Sequence, residues 1–158
     1  MSPFVYRLEK ILKYRINKKE EQILRVVKAQ DEVNRIQSEI DNTNNTIVTL
    51  RQNMHSAPAT LLENYDIYIN HLYQVIEELE VQKEEALEIL AKEKKILEEL
   101  EKGIKALEKH KEKAYEVYQE EEKQQEMKVL DEVGAQKHFI KMREKEQDEL
   151  IESLEEDT

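Results

Sequence analysis

The sequence predicts an all-α fold in which two long helices form an antiparallel coiled-coil hairpin. Only two Gly and two Pro interrupt the 158 residues, too few for the many turns of a compact globular domain. Charged residues make up 39% of the chain, and its richness in Glu, Lys and Leu is typical of long helices. Apolar residues recur at alternating steps of three and four, which is the heptad pattern of coiled coils.

The first helix is expected to run from about residue 3 to about residue 54. Ser2 offers a hydroxyl at the N-cap, and Pro3 suits the first helical position because its missing N–H costs nothing there. The apolar seam is regular in the second half, whereas three polar residues interrupt it in the first half. This discontinuity is either a stutter or a second binding face. The seam positions are Val5, Leu8, Leu12, Arg15, Lys19, Gln22, Val26, Ala29, Val33, Ile36, Ile40, Thr43, Ile47, Leu50 and Met54.

A single reversal of the chain is expected at about residues 55–60, around Pro58. Proline cannot occupy a helix interior, and it disfavours helical angles in the residue before it. Thr60 followed by Glu63 is the signature of a capping box, in which the two side chains cap the start of a helix. The second helix is therefore predicted from about residue 61 to about residue 150.

The second helix carries its own seam for more than seven heptads, and head-to-tail pairing with the first seam brings like residues together. In this register Gln22 faces Glu93, so polar positions coincide as well. A slip of one heptad, with residues 61–72 set aside as a tip, fits the pattern nearly as well. Gly103 lies beside the seam and should cost the helix about 1 kcal/mol. The seam positions are Tyr65, Ile69, Leu72, Ile76, Leu79, Lys83, Ala86, Leu90, Glu93, Leu97, Leu100, Ile104, Leu107, Lys111, Ala114 and Tyr118.

The C-terminal part of the second helix, past about Lys111, is expected to outrun the first helix and to overhang or fray. An unpaired, charged helix is only marginally stable in water, so this part would be ordered by something else. Met127, Leu130 and Val133 form a small apolar set there and are a candidate docking stripe. The chain, residues 1–158, is interpreted as one coiled-coil domain.

The residue types argue against an enzyme, and no catalytic residue, cofactor or metal site is predicted. The chain has no Cys, so thiolate nucleophiles and Cys-based zinc sites are excluded. The four His lie far apart without the spacing of a metal motif, and two isolated Gly cannot build a phosphate-binding loop. The many Glu are expected on solvated helix faces, where no concave site raises their pKa.

The charge of the chain is unevenly distributed. The net charge of −11 argues against nucleic acid as a partner. Between Arg7 and Lys28, however, eight basic residues face three acidic ones, a local net charge of +5. From Glu144 onward, eight acidic residues face one Lys. The basic stretch is either a solvated face or a docking surface for an acidic partner.

Three tyrosines follow the turn: Tyr65, Tyr68 and Tyr73. They either close the end of the hairpin by aromatic packing or present a contact surface, since Tyr is enriched at interfaces. The N-terminus does not have the apolar core of a signal peptide, and no apolar stretch approaches 18 residues. We therefore expect a cytoplasmic location and no direct insertion into a membrane.

Three segments of the chain resemble the FliJ proteins of bacterial flagellar export. The first is the pattern F-x-Y-R-L-E-K-I-L-K-Y-R at Phe4–Arg15. The second is N-Y-D-I-Y-I-x-x-L at Asn64–Leu72, just after the turn. The third is A-L-E-K-x-K-E-K at Ala106–Lys113, which leads into Glu126–Glu132. The three segments occur in the family's order and cover nearly the whole chain.

The resemblance implies a non-enzymatic component of the flagellar type III export apparatus, with a coiled coil similar to the central stalk of rotary ATPases. It implies as partners the export ATPase hexamer, the ATPase regulator, the export gate membrane protein and the export chaperones. The protein would bind the centre of the hexamer, promote its assembly and activity, link it to the gate and escort chaperones. It would be cytoplasmic and peripheral at the cytoplasmic face of the inner membrane. The alternative is a generic structural coiled-coil tether or dimerising spacer.

The resemblance also implies which residues contact these partners. Two of the implied gate residues, Leu72 and Leu79, are seam positions as well, so either the register shifts or Tyr68 and Val75 dominate the contact. The similarity to a stalk implies that the end holding both termini enters the ATPase ring. The implied export-gate contacts are Tyr68, Leu72, Val75 and Leu79, and the candidate ATPase contacts are Arg7, Lys10, Lys13, Arg15 and Lys18.

Overall fold

The structure is a computed structural model that describes residues 2–157. Helix α1 spans Glu9–His55, a 3₁₀ turn spans Ala59–Leu61, and helix α2 spans Leu62–Glu156. The two long helices pack against each other, and the described residues contain no strand. The predicted all-α helical hairpin is confirmed.

The chain divides into two compact units. The first is Lys10–Leu107, here called the hairpin unit, and it contains the turn with the facing parts of α1 and α2. The second joins Met1–Glu9 to Glu108–Thr158 and is here called the terminal unit. Each unit brings together residues from both halves of the sequence.

The core of the hairpin unit is a narrow seam between the two helices. Every predicted seam position from Leu12 to Met54 and from Tyr65 to Ile104 is buried or half-buried. Each fully buried Leu or Ile contributes roughly 1.5–3 kcal/mol relative to an exposed side chain. The seam is therefore the main source of stability in this unit. The buried residues at its centre are Val33, Ile36, Ile40, Leu79, Ala86 and Leu90.

The register of the hairpin is visible in one buried polar layer. Gln22 is only 5% exposed, and its side-chain amide donates a hydrogen bond to the backbone oxygen of Glu93 at 2.9 Å. The same amide also donates to the Glu93 carboxylate. A slip of one heptad would place Leu100 opposite Gln22 instead and would leave the buried amide without these acceptors. The predicted facing of Gln22 and Glu93 is confirmed.

Gly103 has a packing role in the hairpin unit. The Arg15 guanidinium donates to the backbone oxygen of Gly103 at 3.4 Å. A Cβ at this position would lie 3.2 Å from Arg15 Nη1, which is closer than an ordinary contact. The glycine therefore leaves room for Arg15 to lie half-buried against α2, at one of the polar positions of the seam.

The turn is built around Pro58, as predicted. The backbone N–H groups of Ser56 and Ala57 donate to carbonyls in the last turn of α1 at 3.2 and 3.3 Å. Pro58 itself is extended, with ψ of 146°, so α1 cannot continue through it. The N–H of Leu61 then donates to the Pro58 oxygen at 2.9 Å and closes the 3₁₀ turn from which α2 starts at Leu62.

The start of the first helix was wrongly predicted. Helix α1 begins at Glu9, not near residue 3, and the segment before it is not helical. Val5, predicted in the seam, is 80% exposed, whereas Tyr6 is buried and Phe4 is half-buried. This alternation is that of an extended segment, in which neighbouring side chains point to opposite sides. Packing of the two rings outweighs the weak preference of Ser2-Pro3 for a helix start.

The C-terminal part of α2 continues to Glu156, beyond the predicted end near residue 150. Every described residue from 123 to 157 is exposed. The fraying of this part in the free chain stays a prediction.

Candidate functional site

Surface patches, not pockets, are the candidate sites in this structure. Among residues 2–157 no group of three or more His, Asp or Glu side chains is placed to hold a metal ion. The concave features of the surface are shallow grooves along the helices. Such surfaces suit protein partners better than small ligands, which bind in enclosed cavities.

The four implied gate contacts do not form one exposed patch. Tyr68 is 49% exposed and presents its ring beside His71, with 6.5 Å between ring centroids. Leu79 is 7% exposed and belongs to the buried core, while Val75 packs against that core. Leu72 is half-buried. Tyr68 is therefore the member of the set that a partner can reach while the seam stays closed.

Some of the tyrosines after the turn pack the end of the hairpin, and one of them presents a contact surface. Tyr65 is half-buried and lines a shallow cleft of about 200 Å³ with Leu50, Leu61, Asn64 and Tyr68. The guanidinium of Arg51 lies 5.5 Å from the centroid of the Tyr73 ring and donates to its hydroxyl. Tyr65 and Tyr73 thus pack the end of the hairpin, whereas Tyr68 presents a contact surface beside the cleft.

The basic stretch of the hairpin unit is mostly exposed. Lys10, Lys13 and Lys18 are exposed, while Arg15 is half-buried against Gly103. Lys18 lies 5.6 Å from the centroid of the exposed Tyr14 ring, and its ammonium is 3.4 Å from a Glu21 carboxylate oxygen. An ion pair between side chains this exposed contributes little to stability, so the lysines stay available to a partner. Arg7, in the terminal unit, is exposed as well.

An aromatic cluster in the terminal unit was not predicted. The Phe4 ring contacts Tyr115 edge-on at 5.2 Å and Tyr118 at 5.4 Å between centroids, and the two tyrosines stack at 6.2 Å. Tyr6 lies nearby, with its hydroxyl 2.7 Å from His110 Nδ1. The available signal was the alternation of aromatic residues at positions 4 and 6, which fits an extended strand better than a helix.

Polar contacts complete this cluster. The Tyr118 hydroxyl lies 2.5 Å from the Ser2 backbone oxygen and 2.7 Å from a Glu122 carboxylate oxygen, and its single proton can be donated to one of them at a time. The hydrogen bond to Glu122 is the main reason why the pKa of Tyr118 is raised, with desolvation adding to it. The Lys111 ammonium lies 2.9 Å from Glu9 Oε2 and neutralises it.

The family model of the flagellar FliJ protein matches residues 4–143 of this chain. The chain belongs to the FliJ family. No curated protein and no solved structure matches it. The resemblance predicted from the three sequence segments is confirmed, and all three lie within the matched range.

FliJ proteins are non-catalytic components of the flagellar protein export apparatus, so this chain is one as well. The FliJ match includes the aromatic cluster, the turn and the Met127–Val133 stripe, but it ends before the acidic residues 144–158. Of the helices in the described range 2–157, none has a stretch long and apolar enough to cross a membrane.

The candidate docking stripe of this FliJ protein lies open on α2. Met127, Leu130 and Val133 are 64%, 68% and 41% exposed. Val129 and Leu130 also line a shallow groove with Gln125 and Glu126. At 100° per residue the three stripe side chains fall within about a third of the helix circumference, so one partner surface could cover all three.

Proposed function

We propose that this FliJ-family chain is a stalk and adaptor for the flagellar export ATPase. The chain binds the centre of the ATPase hexamer and, together with the ATPase regulator, promotes the assembly and activity of the hexamer. It also links the hexamer to the export gate and escorts export chaperones. It does this without chemistry of its own, at the cytoplasmic face of the inner membrane.

The observation that supports this proposal most is the intramolecular packing of α1 on α2. The apolar seam is closed within one chain, with Ile36 and Ile40 buried against Leu79 and Ala86. A closed seam leaves the outer helix faces free for partners, as a stalk inside a ring requires. The alternative of a tether with arms that pair between chains would need the same seam for a second molecule.

The ATPase contact is proposed at the basic start of α1. Lys10, Lys13 and Lys18 are exposed there, and the stretch from Arg7 to Lys28 has a net charge of +5 in a chain of net charge −11. Concentrated charge on one face raises the rate of encounter with a surface of opposite sign. Arg7 and Arg15 belong to the same proposed contact, although Arg15 is partly engaged by Gly103.

The gate contact is proposed at Tyr68 and the cleft beside it. Tyr68 is exposed and large, and such aromatic residues dominate the binding energy of many interfaces. Leu72 and Val75 follow Tyr68 one and two turns along α2 and are half-buried, while Leu79, one turn further, lies in the core. The stripe of Met127, Leu130 and Val133 is proposed to receive an export chaperone, since its apolar side chains are exposed.

The test adds the purified chain to its cognate export ATPase and measures ATP hydrolysis and ring formation. The proposal predicts that both rise, and that reversal of Lys10, Lys13 and Lys18 to Glu abolishes the increase. Reversal of Lys137, Lys141 and Lys145 to Glu makes the same change of charge at three exposed lysines in the C-terminal part of α2, and this control should leave the increase intact. An ATPase that does not respond to the unaltered chain would refute the proposal.

The gate contact is tested separately by binding of the cytoplasmic part of the gate protein. Tyr68→Ala should weaken it by about 2 kcal/mol, which is roughly a thirtyfold rise in Kd. Tyr14→Ala removes an exposed ring from the other helix, 61% exposed against 49% for Tyr68, and should leave gate binding unchanged. Equal effects of the two substitutions would exclude Tyr68 as the gate contact.

A further inference from the structure

The C-terminal part of α2 carries apolar residues that repeat every eleven positions. Val129, Ile140 and Ile151 follow this spacing and are 58%, 55% and 53% exposed. Eleven residues make close to three helical turns, so the three side chains lie nearly in line along the helix. Six residues between 129 and 151 fall within about 60° of the helix circumference and are here called the Ile140 face. They are Val129, Val133, Gln136, Ile140, Gln147 and Ile151.

The Ile140 face is uncharged in a segment that is rich in charge. Ten of the 23 residues from 129 to 151 are charged, and none of them belongs to the face. The same line along α2 passes through Tyr118, eleven residues before Val129, where the Phe4 ring lies 5.4 Å from the Tyr118 ring between centroids. The Ile140 face therefore continues a line of α2 that packs against the N-terminal segment, but its own residues are exposed.

The spacing of the Ile140 face is the same in both directions. Counted from Ile140, Val129 and Ile151 lie eleven residues away on either side, and Val133 and Gln147 lie seven residues away. A two-fold antiparallel pair of helices places each residue opposite the residue at the same distance on the other side of the centre. The face therefore matches a second copy of itself, with Ile140 at the centre and Val129 opposite Ile151.

The polar residues beside the centre fit the same arrangement. Gln136 and Glu144 lie four residues before and after the centre, so the Gln136 amide can donate to the Glu144 carboxylate of a second copy. The hairpin seam contains such a pair, in which Gln22 donates to the Glu93 carboxylate. Lys137 has no acidic residue three or four positions away on its own helix, so Glu144 of a second copy can neutralise it as well.

The distribution of charge favours antiparallel over parallel pairing. Residues 146–152 carry four acidic residues and no basic one. A parallel pair would place this segment beside the same segment of the second copy, so that two net charges of −4 would meet. An antiparallel pair places it beside residues 128–134, whose one Lys and two acidic residues give a net charge of −1. The repulsion between like charges is therefore weaker in the antiparallel pair.

We propose that residues 129–151 of two copies of this chain pair as an antiparallel two-helix coil centred on Ile140. Ile140 packs on Ile140 of the second copy, and Val129 packs on Ile151 at each end. The proposal goes beyond the stalk function and does not depend on it. Because the Ile140 face shares Val133 with the proposed chaperone stripe, a chaperone and a second copy would exclude each other there.

The size of the contact sets the strength of the association. The segment is about 33 Å long, and a strip about 10 Å wide on each of the two helices amounts to roughly 700 Å² in total. Stable interfaces bury about 1,200 Å² or more, so the pair is a weak one. We expect a dissociation constant on the order of 0.1 mM.

Sedimentation equilibrium of the full chain between about 10 µM and 1 mM tests the proposal. The mean mass should rise from that of a monomer towards that of a dimer. Ile140→Asp should remain a monomer throughout, because it brings two carboxylates together at the centre of the pair. Met142→Asp is the control: Met142 is 52% exposed on the opposite side of α2, so this variant should associate like the unaltered chain. Circular dichroism of both variants checks that α2 is intact.

The outcomes that would overturn the proposal are distinct. They are a monomer at every concentration of the unaltered chain, a species larger than a dimer, and equal effects of the two substitutions. None of these measurements involves the export ATPase, so their failure would leave the proposed stalk function untouched.

Cysteine cross-linking tests the orientation, since the chain has no Cys of its own. In the antiparallel pair, position 129 of one copy lies beside position 151 of the other, whereas the two copies of position 129 are about 33 Å apart. A mixture of Val129→Cys and Ile151→Cys should therefore oxidise to a cross-linked dimer, and each variant alone should not. Either variant cross-linking to itself as fast as the mixture does would overturn the proposal.

Discussion

Truncation of one buried side chain in the seam tests the basis of the hairpin. Ile36 is 2% exposed and belongs to the buried core of the hairpin unit. Ile36→Ala removes methyl and methylene groups from that core and leaves a cavity, at a cost of 2–5 kcal/mol in typical proteins. The seam is open at its sides and can relax, and Ala is a better helix former than Ile. We therefore expect about 2–3 kcal/mol, the lower end of that range.

The matched control is Ile67→Ala on α2. Ile67 is 62% exposed, so the same chemical change should alter the free energy of unfolding by less than about 0.5 kcal/mol. For a chain of this length the core variant should melt roughly 5–10 °C lower than the unaltered protein, and the control close to it. Thermal and urea unfolding followed by circular dichroism at the helix band measure both. Equal losses in the two variants would refute the buried seam.

Three further predictions concern other parts of the chain. Gly134→Ala should stabilise α2 by about 1 kcal/mol in thermal unfolding, because nothing lies within 4 Å of the added Cβ. Gly103→Ala should stabilise α2 less in the same measurement, because the Arg15 guanidinium must move away from the added Cβ. The pKa of Tyr118 is raised in the folded chain, so the protonated Tyr118 hydroxyl stabilises the fold. This stabilisation is fully present below the ordinary tyrosine pKa of about 10 and is lost as the pH rises through the raised pKa. Absorbance titration of the tyrosines should show a late-titrating group that Tyr118→Phe removes. Backbone amides of residues 123–157 should exchange with deuterium faster than those of the buried seam, since this part is exposed throughout; equal protection would contradict the expectation of fraying.

The parts of the fold that sequence predicts well are those set by a repeated local pattern. The heptad spacing places a seam residue at every third or fourth position, so one misjudged position does not disturb the rest. The polar seam positions helped to choose the register, because Gln22 faces Glu93 in one register and not in the register shifted by a heptad. Pro58 marked the reversal because its ring excludes a continuous helix.

The N-terminal segment was beyond such reasoning because its conformation depends on residues more than a hundred positions away. Ser2-Pro3 favours a helix locally, but Phe4 and Tyr6 gain more by packing against Tyr115, Tyr118 and His110. Local preferences of a few tenths of a kcal/mol yield to aromatic contacts worth about 0.5–1.5 kcal/mol each beyond their burial.

The candidate site was predictable only in part, for a related reason. A family resemblance points to positions, whereas accessibility depends on how the helices pack. Tyr68 and Leu79 belong to the same implied gate contact, yet one faces solvent and the other lies in the core.

The most direct test of the hairpin is a disulfide between its two helices. The chain has no Cys, so Gln22→Cys with Glu93→Cys introduces a single pair, and Gln22→Cys with Leu100→Cys is the control for a register shifted by one heptad. At low protein concentration the first pair should oxidise readily to a cross-link within one chain, because Gln22 contacts Glu93 directly, and the control pair should oxidise slowly. Faster oxidation of the control pair, or disulfides that join two chains, would contradict the packing of α1 on α2 on which the proposed stalk depends.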